Sequence, residues 1–227
     1  MIRIKIHTQI LETEGKLLKN ERKLLGEIIK NHATNAGLIL NVPMVNITIY
    51  PNPDFTMLET GEGGYTPSMD WFHIYINPTK KKIELDKIIK NIIPATIYHE
   101  MNHVSRWKNT GYGSNLLDVI VTEGLATVFA GEQWKKYKAP WNNYSKKEII
   151  KLLDLLKKRK KSNDKNYNHD EWFYGTGKLP RWTGYKLGSY IIKSFRNNNN
   201  NIEWKEISKL STKEIITKSG INMARYL

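Results

Sequence analysis

Five consecutive residues, His99-Glu100-Met101-Asn102-His103, combine two metal ligands and a base in a spacing that a helix can use. Histidines four apart on a helix differ by about 40° of rotation, so both rings project from one face, one turn apart. Two neutral imidazoles so placed can bind one Zn²⁺. The glutamate beside the first histidine can reach a water on that metal as general base without being a ligand itself. On an ordinary helix the same spacing would leave two surface histidines, so the surroundings must decide between the two.

Two histidines and one carboxylate leave the open fourth position of a catalytic zinc. Glu123 lies 20 residues after His103, in Thr122-Glu123-Gly124-Leu125-Ala126. A turn at Gly111 to Gly113, followed by a second helix with Ser114 or Asn115 as N-cap, would return Glu123 past the first helix. Ala126, Thr127 and Ala130 share its face, and such small residues permit a close approach. Asp118 is the alternative ligand. It sits about 140° around the helix from Glu123, so both cannot serve. The elongated metzincin pattern requires a glycine and then a histidine at positions held here by Arg106 and Asn109. A chain with no cysteine has no thiolate ligand to offer.

The elements that must position these residues read as an α+β protein. The motif falls on a helix from about residue 94 to 107, with Pro94 in its first turn and Ile97, Met101 and Val104 facing the core. Residues 1–7 alternate as a strand. Leu11 to Asn35 carries a helical period, and Gly37 is its expected end. Val45 to Tyr50 reads as a second strand, Gly61-Glu62-Gly63-Gly64 as a flexible turn, and Trp71 to Asn77 as a third strand with Phe72, Ile74 and Ile76 on its apolar face. Beyond the Glu123 helix the chain is mainly helical. An amphipathic helix spans Lys146 to Lys161, a mobile loop Ser162 to Asp170, and a helix Thr183 to Phe195, on which Tyr185, Gly188, Ser189 and Ile192 share a face. Asn197 to Asn201 reads as a linker, and Ser211-Thr212-Lys213-Glu214 as a capping box opening the last helix. No repeat or composition break marks an independent second domain. The expectation is one domain over 1–227, with an α/β lobe over about 1–108 and a helical lobe over about 109–227 supplying the glutamate.

The 227 residues are 40% hydrophobic, enough for a well-packed core, and no apolar run approaches the length of a membrane span. The N-terminus lacks the continuous apolar core of a signal peptide. With no cysteines there is no disulfide framework, and cytoplasmic residence is the default. The net charge of +14 raises nucleic-acid binding. Its lysines are dispersed, no nucleic-acid motif accompanies them, and the Lys146–Lys161 run reads as a solvated face, so no specific nucleic acid is expected. Steering of acidic peptides is a further possibility for that charge.

The segment Tyr98 to Trp107, together with Thr122 to Ala126, resembles the YjaZ-like family of predicted zinc-dependent proteases. Pro180 to Gly188 is similar to that family's C-terminal glycine-tyrosine signature. The resemblance covers roughly residues 60 to 195. It implies a zincin-like, gluzincin-type peptidase acting on peptide or protein, with Zn²⁺ held by His99, His103 and Glu123. The better-known gluzincins often place an aspartate one turn after the ligand glutamate to orient a zinc histidine. Here that position is Thr127, which leaves Asp118 or a backbone carbonyl as the orienting partner. On this reading zinc lowers the pKa of its water to about 7. Glu100 takes the proton as water attacks a peptide carbonyl, then passes it to the leaving amine. The oxyanion needs one further donor, for which Tyr185 comes first, Arg181 second and Tyr174 third, with plain packing the alternative role for Tyr185. Zinc peptidases of this build hold the substrate backbone along an edge strand above the metal, a role the 71–77 strand could fill instead of being plain sheet. His7, His32, His73 and His169 read as packed or surface residues. Two other functions share parts of this sequence: a zinc hydrolase of non-peptide amides, and a non-enzymatic basic binding protein whose metal is structural or absent.

Overall fold

The computed structural model describes residues 4–12, 16–160 and 166–222. The chain forms two compact units, one of residues 1–109 and 129–137, the other of 110–128 and 138–227. The first is α+β and the second is helical. Among the described residues no helix is long and apolar enough to cross a membrane.

The first unit is built on four strands, β1 (Lys5–Ile10), β2 (Met44–Pro51), β3 (Glu62–Ser68) and β4 (Trp71–Ile76), in the order β1-β2-β4-β3. β1, β2 and β4 run parallel, and β3 pairs antiparallel with β4. Alternation sends Val45, Ile47 and Ile49 of β2 and Phe72, Ile74 and Ile76 of β4 to one face, where all six are buried. Helices α1 (Lys19–Leu40) and α3 (Ile93–Asn109) pack on the sheet and on each other. The Tyr98 hydroxyl joins them, accepting from Asn35 Nδ2 at 2.8 Å and lying 3.3 Å from His32 Nδ1.

Several sequence expectations change here. The strand at 71–76 is not an edge, because β2 and β3 hydrogen-bond to its two sides; the edge beside α3 is β3. That strand was hidden in the segment read as a flexible turn. Gly63 and Gly64 mask its alternation, and both are there for clearance. A Cβ on Gly63 would come 2.5 Å from the Phe55 carbonyl oxygen, and one on Gly64 would come 2.2 Å from Glu100 Oε1. Pro67 is tolerated because this is an outer strand. The first helix is also shifted. Leu11 still follows β1, donating its N–H to the Ile49 carbonyl, and the helix continues through Gly37 to a left-handed Asn41. Gly37 gives room to Ile4, whose Cγ2 would lie 2.8 Å from a Cβ there, so it is a packing glycine and not a helix stop. The expected strand at 1–7 is found at Lys5–Ile10, with residues 1–3 outside the described ones.

A short helix α2 (Lys82–Lys87) leads through one π-turn, Ile88–Ile92, into α3. The Ile93 N–H reaches back to the Ile88 carbonyl, and Pro94 follows in the first turn, where its missing N–H is cheapest. Ile97, Met101 and Val104 of α3 are fully buried.

In α4 (Leu116–Gln133) the residues up to Val128 count with the second unit and Phe129–Gln133 with the first. Asn115 opens it, accepting the Asp118 N–H at 3.0 Å while its own amide donates to Asp118 Oδ2 at 2.7 Å. The second unit centres on α7 (Thr183–Asn198), against which α5 (Lys146–Lys160), α6 (His169–Phe173) and α9 (Thr212–Lys218) pack. A short α8 (Trp204–Ile207) precedes α9. Ile149, Leu152, Leu153 and Leu156 of α5 are buried, and its lysines at 146, 147, 151, 157 and 158 are exposed. The expected loop over 162–170 in fact ends in α6, and its residues 162–165 lie outside the described ones. The 197–201 linker begins inside α7, which runs to Asn198. The Ser211 capping box forms as expected.

Candidate metal centre

Helix pitch delivers the first part of the site. His99 Nε2 and His103 Nε2 face each other 3.0 Å apart. Two bonds of about 2.05 Å at a tetrahedral angle require a nitrogen separation of about 3.3 Å, so a zinc ion fits between these rings with an adjustment of tenths of an ångström. A ligand atom from each of His99, Glu100 and His103 lies within 4.8 Å of the others. His99 is half-buried, while His103 and Glu100 are buried. The donors therefore sit in a largely buried setting, with His99 the more exposed of the three.

Glu100 is held by β3. The Thr66 hydroxyl donates to Glu100 Oε2 at 2.7 Å, and Oε1 lies against Gly64, where an added Cβ would displace the Glu100 side chain. Neither contact is local in sequence. Thr66 is 34 residues from Glu100, and nothing in the motif points to it. Further along the strand, Trp107 Nε1 donates to the Thr66 carbonyl at 3.1 Å and the Met57 N–H to the Glu62 carbonyl at 2.9 Å. Both carbonyls belong to the edge of β3 that turns away from β4. Strand alternation puts the Gly64 amide and carbonyl on that same edge, between them and beside the Glu100 carboxylate.

Glu62 was also missed by sequence reasoning. It is 3% exposed, and its Oε2 accepts from the Thr96 hydroxyl at 2.8 Å. Burial pushes its carboxyl above the usual carboxylate range, against the opposing pull of the Thr96 and Thr60 hydroxyls and the His99 ring. The signal for it in the sequence was faint: residues 62, 64 and 66 share one face of a strand that two glycines disguise.

Residues 25–217 match the model of a family described as predicted Zn-dependent protease (DUF2268). The chain belongs to this family. The match takes in all three segments that resemble the YjaZ-like zinc proteases, and a family described by zinc dependence agrees with the His99/Glu100/His103 donor group. No curated protein and no solved structure matches the chain.

The other candidate residues of this family member lie in the helical unit. Glu123 is 3% exposed, and the Tyr112 hydroxyl donates to its Oε1. Tyr185 is buried in an aromatic cluster, stacked on Trp141 at 4.9 Å and edge-on to Phe173 at 5.1 Å. Burial pushes its phenol well above the ordinary range, and Tyr174, Glu123 and Tyr112 add to the effect, so it keeps its proton at neutral pH. Glu123, Tyr185 and Tyr174 thus occupy one neighbourhood. Arg181 is exposed. Its guanidinium lies over the Trp182 ring at 4.4 Å and donates to the Tyr174 carbonyl at 3.2 Å. Asp118 is engaged at the start of α4, and the Thr127 hydroxyl accepts from Trp141 Nε1 at 3.2 Å. Of the remaining histidines, His7 is exposed on β1, His32 lies edge-on to Tyr98 and Trp134, His73 is buried among Tyr50, Trp71 and Tyr75, and His169 stacks on Phe173.

Proposed function

We propose that this protein is a gluzincin-type zinc peptidase of zincin-like build, with His99, His103 and Glu123 as metal ligands and Glu100 as general base. The observation that carries the reading is the pair of histidine Nε2 atoms 3.0 Å apart with a buried carboxylate fixed beside them by Thr66. Bound zinc would supply Lewis acidity, acidifying a water and polarising a carbonyl. The remaining work belongs to the chain. Glu100 takes a proton from the attacking water and gives it to the departing amine, and its bond from Thr66 keeps it oriented for both transfers. The substrate backbone lies along β3, taking hydrogen bonds from Gly64 as an added strand. The expected edge-strand role moves in this way from the 71–76 strand to β3. With the carbonyls of Glu62 and Thr66 already engaged, the pairing is short and centred on Gly64.

Glu123 is favoured over Asp118 as the third ligand because Asp118 already serves the N-terminus of α4. Tyr185, protonated and beside Glu123, is the donor offered to the oxyanion; Arg181, turned onto Trp182, is the weaker choice.

The test is metal analysis and turnover on the full chain. Wild-type protein dialysed against metal-free buffer should retain about one zinc per chain and cleave fluorogenic peptides. Glu123→Ala should lose the metal under the same dialysis. Retention of zinc by that variant would exclude Glu123 as a ligand. Turnover of non-peptide amides without any peptide cleavage would replace the peptidase reading by the alternative hydrolase.

A further inference from the structure

We infer that Glu62 is the carboxylate that orients His99 for the metal. The inference rests on the metal-site reading above and concerns the group that fixes one of its ligands.

A zinc-ligating histidine generally passes the N–H of its other ring nitrogen to a carboxylate, carbonyl or water, which fixes both the tautomer and the ring angle. In His99 the nitrogen turned toward His103 is Nε2, so Nδ1 is the atom by which the ring can be held. Residues 62, 64 and 66 point from one face of β3 and track α3 as they go. Glu62 meets Thr96, Gly64 makes room for Glu100, and Thr66 binds Glu100. Thr96 lies three residues before His99, one turn down and about 60° around the helix. A carboxylate anchored on Thr96 is therefore next to the base of the His99 side chain. Glu62 and the His99 ring are close enough to interact electrostatically.

The surroundings of Glu62 fit this role better than that of a packing residue. Burying a carboxylate is costly unless hydrogen bonds and charge compensate it. Thr96 and Thr60 supply hydroxyls, and the Tyr137 hydroxyl, buried with no partner among the described residues, feels the same carboxylate. Glu62 also answers the departure at Thr127. With Asp118 engaged at α4 and Thr127 bonded to Trp141, the orienting carboxylate comes from β3 and not from the ligand-bearing helix. The same strand would then hold the general base through Thr66 and a metal ligand through Glu62.

The experiment measures zinc affinity by competition with a chromophoric chelator, using full-length wild type, Glu62→Gln and Thr96→Val. A second readout is the imidazole N–H resonance of His99 in the cobalt-substituted protein. Glu62→Gln keeps the volume and can still accept from Thr96, so a purely structural role predicts unchanged affinity. The inference predicts a 10–100-fold loss of affinity and a shifted or exchange-broadened His99 N–H, with an unchanged far-ultraviolet dichroism spectrum. A folded Glu62→Gln with wild-type affinity and an unmoved His99 signal overturns it. If Glu62→Gln does not fold, Thr96→Val decides: a weaker loss in the same direction supports the inference, and wild-type affinity overturns it. Failure of wild-type protein to bind zinc would instead remove the metal-site reading, and the two failures are thus separable.

Discussion

Among the close backbone approaches that glycine permits in this molecule, one in each unit makes an instructive pair. In the first unit, Gly64 of β3 faces the Glu100 side chain of α3. In the second, Gly124 of α4 faces Gly188 of α7, where a Cβ on Gly124 would lie 2.4 Å from the Gly188 carbonyl carbon, and one on Gly188 would lie 2.2 Å from the Ile120 carbonyl oxygen. The obstacle differs. At Gly64 it is the end of a flexible side chain that can rotate away; at Gly124 and Gly188 it is helix backbone, which can move only if the helices part. The first contact therefore sets the position of the Glu100 side chain, the base of the proposed mechanism, and the second sets how closely two helices pack.

The largest expected effect removes the group that Gly64 accommodates. Glu100→Gln should lower peptide turnover by about 10²–10⁴-fold while zinc content and melting temperature stay near wild type. Retained turnover would mean that the carboxylate beside Gly64 is not the base. Next, Gly188→Ala should destabilise the fold by about 1–3 kcal/mol in denaturant titration, because the overpacking is against backbone. A neutral result would show that α4 and α7 have slack. Gly64→Ala should behave in the opposite sense. Its melting temperature should change little, and kcat should fall by about 10²-fold through displacement of Glu100. Equal losses of stability in the two alanine variants would erase the distinction. The smallest effect is a control. Gly26 in α1 has nothing within 4 Å of an added Cβ, so Gly26→Ala should stabilise by about 0.5–1 kcal/mol and leave turnover untouched.

What could be read in advance follows the range of the interactions. The α3 helix, its buried face of Ile97, Met101 and Val104, the amphipathic α5 and the Ser211 capping box were all legible, because each is written within a few turns of chain. The family resemblance was legible for the same reason, since its signatures are short segments, and the family match bears it out. β3 was not legible. Its two glycines and proline are the residues that usually announce a turn, and here they answer to Phe55, Glu100 and the sheet edge. Gly37 misled in the same way: its clearance serves Ile4, far away in sequence.

By itself the amino-acid order settled that His99 and His103 share a helix face with a carboxylate between them, because the pitch of an α-helix converts a spacing of four into a direction in space. Which strand lies beside that carboxylate, and that Thr66 and Glu62 meet α3 at Glu100 and Thr96, was decided only by tertiary structure. Those contacts join residues 34 apart through a strand pairing and a helix–sheet packing. Such geometry depends on the mutual burial of whole elements, which no local pattern of residues encodes.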